Sequence, residues 1–211
     1  MRNIIMMFKK DIAQKIYSQM LLEDHFYTTN GCLEESVSGT SSCNISQSYT
    51  WTEHVDFYSD SYESGIKSVL FEGIKKGVFS TTKFDSKPEL ILARVLEHDT
   101  TVQNWLRPAP AEFNITYNRG KRYEPDFVVE TKESFYLIEV KGEDKLENAD
   151  VIAKSMRAVQ FCDVATNWAM ANGRKPWKYL FIPSQQIQAS SSFTNLAERY
   201  VKVVDKSEKE Y

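Results

Sequence analysis

Apolar residues recur at Ile4, Phe8, Ile12, Ile16 and Met20, a spacing that predicts one helix within Arg2–Phe26. From Tyr27 to Asp60 the chain turns to Ser, Thr, Asn and Gly with scattered aromatics, the pattern of loops or short strands. A second helix is predicted over Ser86–His98. Ser86 or Asp85 can cap it, Pro88 suits its first turn, Glu89 follows, and Leu92, Val95 and Leu96 make an apolar stripe.

Phe113, Ile115 and Tyr117 alternate with polar residues as in a strand, and Asn118, Arg119 and Gly120 then make a turn. Strands are predicted at Tyr123–Glu130 and Phe135–Lys141, separated by Thr131, Lys132, Glu133 and Ser134. Helical spacing returns from Leu146 to Met170, followed by a short apolar strand over Tyr179–Ile182, a helix over Phe193–Tyr200 and a last strand over Val201–Val204. Helix, strands, helix and strand in that order, with at least one crossover, predict an α/β core: a mixed sheet with helices on its faces.

A length of 211 residues allows one main core, expected over 61–211, with residues 1–60 as a helical and loop-rich extension. Hydrophobic residues at 42% and charged ones at 26% match a folded soluble chain, and no apolar run reaches membrane-spanning length, so a cytoplasmic location is expected. Three cysteines without a CxxC pair argue against a disulfide framework or a common zinc module, and the spacing of Cys32, Cys43 and His54 is too wide for paired ligands. A net charge of −3 argues mildly against binding of nucleic acid through bulk positive charge and turns attention to local patches: Lys67, Lys75, Lys76, Lys83 and Lys87, or Arg174, Lys175 and Lys178.

Candidate chemistry concentrates in Tyr123-Glu124-Pro125-Asp126-Phe127-Val128-Val129 and Tyr136-Leu137-Ile138-Glu139-Val140-Lys141-Gly142. A hairpin turn centred between Lys132 and Glu133 sets Asp126 opposite Glu139, on one face of the sheet with Lys141. Opposed carboxylates stand about 4.5–5.5 Å apart at Cβ, and a divalent cation between them relieves their repulsion. Magnesium, bound by both acids and the main-chain carbonyl of Val140, would leave positions for waters and a phosphate oxygen. Lys141 would then orient or help deprotonate the attacking water and neutralise the charge that forms on phosphorus. A half-exposed hairpin with a charged outer face shows the same alternation, and in it Lys141 simply pairs with Glu139 or Glu124.

Pro125-Asp126 followed by Glu139-Val140-Lys141, with Glu89 on a preceding helix, resembles the PD-(D/E)XK nuclease signature. Together with Lys83-Phe84-Asp85-Ser86-Lys87-Pro88-Glu89 and Trp105-Leu106-Arg107-Pro108, these phrases resemble the C-terminal endonuclease region of the Res subunit of type III restriction enzymes, from about Ile16 to Val204. The resemblance implies a restriction-endonuclease-like core. It also implies magnesium-dependent cleavage of double-stranded DNA beside a Mod methyltransferase subunit and a helicase-like ATPase. It assigns Asp126 and Glu139 to the metal, Lys141 to the water and Glu89 to the support of the metal shell. The sequence contains no GxxxxGK[ST] phosphate loop, so ATP dependence does not carry over. A catalytically silent DNA- or subunit-binding module, or another nuclease of this signature such as a transposition endonuclease or junction resolvase, fits the same residues.

Overall fold

The computed structural model describes residues 53–108, 113, 115–117, 121–143 and 148–203. The helix expected within Arg2–Phe26, Cys32, Cys43, the turn at 118–120 and Val204 lie outside the described residues. In chain order the described elements are β1 (Glu53–Asp56), β2 (Val69–Glu72), β3 (Thr81–Thr82), α1 (Lys87–His98), β4 (Val102–Leu106), β5 (Ile115–Tyr117) and β6 (Lys121–Tyr123). Then come β7 (Phe127–Thr131), β8 (Phe135–Lys141), α2 (Ala149–Ala171), β9 (Trp177–Pro183), α3 (Phe193–Tyr200) and β10 (Val201–Lys202).

The chain is an α/β protein with a mixed central sheet in the order β10-β9-β8-β7-β4, in which β8 and β9 are parallel and the other neighbours antiparallel. α2 makes the crossover that the parallel pair requires. Alternation along the strands sorts residues to two faces. Phe127, Val129, Tyr136, Ile138, Leu180 and Ile182 join α1 and α3 in one apolar cluster. Leu137 and Tyr179 join α2 and the β5–β6 hairpin in the other. No helix among the described residues is long and apolar enough to cross a membrane.

Three features depart from the sequence expectations. The strand expected over Tyr123–Glu130 is two strands, β6 and β7, because Pro125 has no N–H for a ladder and the chain bends at Asp126. β4 had no clean period-2 pattern, since its pairing shifts between Val102 and Asn104. The β1-β2-β3 sheet also went unread, and it joins residues on both sides of position 60. β1 pairs with β2, Phe57 is fully buried in the first cluster, and Arg94 of α1 hydrogen-bonds the carbonyls of Phe57 and Ser59.

The α1 start follows its local sequence. The Ser86 side chain accepts from the Glu89 N–H, with Pro88 in the first turn, so Ser86 and not Asp85 is the cap. At the other end of α1, the buried Glu97 carboxylate accepts from the Lys75 N–H at 2.6 Å, the Lys76 N–H at 2.9 Å and the Trp105 indole N–H at 2.9 Å. That carboxylate lays segment 75–78 along the outer edge of β4, where Val78 donates to the Trp105 carbonyl. Gly77 is required in this approach, as a Cβ there would meet the Phe79 carbonyl oxygen at 2.8 Å.

Candidate active site

Two strand ends meet at the proposed chemistry. The β7–β8 hairpin closes through the Thr131 N–H donating to the Ser134 carbonyl, and its ladder runs from Glu130 opposite Phe135 to Phe127 opposite Ile138. One step beyond the ladder, this register sets Asp126 opposite Glu139, as the hairpin arithmetic predicted. The two acids are joined through the backbone between them: the Val140 N–H donates to Asp126 Oδ2 at 2.7 Å. Because N–H and C=O of one strand residue project to the same side, the Val140 carbonyl also faces the Asp126 side.

Glu139 is buried, and Lys141 Nζ lies 2.5 Å from its Oε1, one of the two pairings the sequence left open. The second oxygen, Oε2, is buried without a hydrogen bond of good geometry, and the hydroxyls of Tyr123 and Tyr179 border this carboxylate, Tyr123 near enough to favour its charged form. Buried polar atoms without well-formed hydrogen bonds are costly and uncommon, which singles this cluster out as the candidate site.

The electrostatics agree with crowding of like charge. Burial, reinforced by the charges of Glu139 and Glu89, pushes the Asp126 carboxyl well above the usual carboxylate range, against the opposing Val140 N–H and Lys141. Burial also raises Glu139, with Lys141 opposing it. The pair therefore holds a proton to higher pH than two exposed carboxylates would. Burial alone would lower Lys141, but the Glu139 carboxylate outweighs it and the amine is raised. As placed here Lys141 is a cation at neutral pH. A cation in this place is suited to neutralising developing charge.

Glu89 is buried in the first turn of α1 and is charge-coupled to Asp126. Its oxygens are already engaged by the Ser86 hydroxyl, the Asp85 N–H and the Arg107 guanidinium, which also pairs with Asp85. Arg107 thus ties the Lys83–Glu89 phrase to the Trp105–Pro108 phrase, a role the spacing alone does not reveal. Among the described residues no three His, Cys, Asp or Glu side chains surround one cation position. What the site does offer is two carboxylates and a main-chain carbonyl, hard oxygen donors of the kind a divalent cation takes.

Several sequence candidates fall elsewhere. Lys76 Nζ donates to the Asp99 carbonyl, and Lys175 Nζ is held by Gln103, Glu130 and the Thr131 carbonyl. His54 pairs with Glu72 and takes no part in a metal cluster among the described residues. A cleft of about 1020 Å³ opens between α2 and α3 beside β10, lined by Tyr136, Cys162, Trp177 and Phe193 among others, and none of Asp126, Glu139, Lys141 or Glu89 reaches it. No family model matches the sequence, and no curated protein is similar enough to count as a relative.

Proposed function

We propose that this chain is a magnesium-dependent endonuclease that hydrolyses phosphodiester bonds of double-stranded DNA, with a restriction-endonuclease-like core and Asp126, Glu139 and Lys141 at its centre. The observation that carries the reading is the buried Glu139 carboxylate set by the hairpin register opposite the raised Asp126 carboxyl, with the Lys141 amine beside them. Helix, three sheet strands, crossover helix and strand in sequence support the core assignment.

Asp126, Glu139 and the Val140 carbonyl are the residues that would hold the cation, with Glu89 behind Asp126. When bound, such an ion lowers the pKa of a water and polarises a phosphoryl oxygen. The chain's own contributions are distinct. The Val140 N–H orients Asp126, Arg107 holds Glu89 in place, and Lys141 supplies positive charge where the pentavalent phosphorus gathers negative charge.

Supercoiled plasmid and linear duplex with magnesium test this directly. Nicked or linear product is expected from the wild-type chain, none in EDTA, and a loss of about 10²-fold or more in Asp126→Asn and Lys141→Ala. Cleavage that survives both substitutions would remove the site assignment. A second reading is favoured by the closed Lys141–Glu139 pair: a silent module that binds duplex or a subunit such as a methyltransferase or ATPase chain. Duplex binding without product in magnesium or manganese selects it. Preferential cleavage of four-way junctions over linear duplex selects a resolvase instead.

A further inference from the structure

The first turn of α2 and the β5–β6 hairpin share one carboxylate. Asp150 accepts from the Tyr117 hydroxyl at 3.0 Å, from Lys121 Nζ at 3.1 Å and lies 3.0 Å from Lys154 Nζ. Both ammonium groups also lie over the Tyr117 ring, at 6.0 Å for Lys121 and 5.6 Å for Lys154. Among the described residues, two cations on this one exposed anion leave a positive charge at the rim. Lys154 belongs to the site's electrostatics, since its charge acts on both Glu139 and Lys141. Exposed ion pairs of this kind contribute only about 0–1 kcal/mol, so stability is a poor reason for gathering two lysines here.

We propose that Lys121 and Lys154 form a phosphate-binding pair for a backbone phosphate of the duplex next to the bond that is cut, and that Asp150 holds them until that phosphate displaces its carboxylate. The inference rests on the nuclease reading for the identity of the ligand. A DNA phosphate carries the same single negative charge as Asp150 and accepts from both ammonium groups in the same way, so exchange keeps both lysines paired. The Tyr117 hydroxyl and ring stay as the platform, and the latch keeps the rim from gathering unrelated anions. Lys121 is 62% exposed and Lys154 29%, so the first is free to follow the backbone while the second stays near Glu139.

The test is binding of a labelled duplex by fluorescence anisotropy across a salt series, with calcium replacing magnesium. Lys121→Gln and Lys154→Gln are each expected to weaken binding and to reduce the slope of log K against log salt by about 1. Asp150→Asn, which keeps an acceptor for Tyr117, is expected to tighten binding roughly three- to tenfold. That gain should vanish when both lysines are already glutamine. Asp163→Asn, the same charge change at an exposed position further along α2, should leave affinity as it was. Wild-type affinity and slope in both lysine variants would overturn the proposal, as would an Asp150→Asn gain that persists without the lysines. Failure of the wild-type chain to bind duplex overturns this inference and the nuclease reading together; binding without magnesium-dependent cleavage overturns only the latter.

Discussion

The Val140 N–H donates to Asp126 across the end of the β7–β8 ladder, so the first residue beyond one strand is pinned by the backbone of the other. An aspartate at a bend after a proline would otherwise sample several rotamers. This bond holds its carboxylate beside Glu139.

The crowding of these two acids predicts a stability effect with a definite sign. Both carboxyls bind a proton more tightly in the folded chain than in the unfolded one. Between the unfolded pKa near ~4 and the raised folded values, the native state holds more protons, so stability falls as pH rises through that window. At pH 8 Asp126→Asn is therefore expected to melt higher than wild type in EDTA, by about 2–4 °C if the relief is near 1 kcal/mol. Millimolar magnesium should raise the wild-type melting temperature and leave that of the variant unchanged. Thermal melts at pH 5 and pH 8 check both points, and a lower melting temperature for Asp126→Asn at pH 8 would contradict the electrostatic account.

Arg107 predicts a coupling between two stretches that are far apart in sequence. Its guanidinium is 15% exposed and lies 3.2 Å from Glu89, which is 10% exposed. Arg107→Ala leaves that carboxylate buried without its cation and is expected to cost about 2–3 kcal/mol. Glu89→Gln alone should cost less, and the two together less than their sum. Urea unfolding of the four proteins in the double-mutant cycle measures the coupling; strict additivity would remove Arg107 as the partner of Glu89.

Glu97 predicts a change confined to the β4 edge. Every partner of its carboxylate is a donor: two backbone N–H groups and the Trp105 indole. Glu97→Gln turns an amide N–H₂ toward at least one of them, at a cost of about 1–3 kcal/mol. Trp105, 2% exposed, should then show red-shifted fluorescence under native conditions. An unchanged emission maximum would mean that the 75–78 segment does not depend on this carboxylate.

Much of the molecule was legible from local rules. α1 begins at Ser86 because a serine, a proline and a glutamate stand in capping order, and α3 matches its apolar spacing over Phe193–Tyr200. The Asp126–Glu139 register follows from a four-residue turn and the period of two along a strand, both of which are properties of the chain alone. What local rules left out has a common cause. β4 and the β1-β2-β3 sheet are short or irregular strands that exist because distant segments supply their hydrogen-bond partners, and no periodicity records a partner. Arg107 against Glu89 and the two lysines on Asp150 join residues brought together by packing of helices and a hairpin against the sheet. The protonation of Lys141 likewise depends on the burial and the Glu139 charge that the folded sheet imposes. The sequence alone determined which acids share a strand face; tertiary structure decided how deeply they are buried and which groups their oxygens meet.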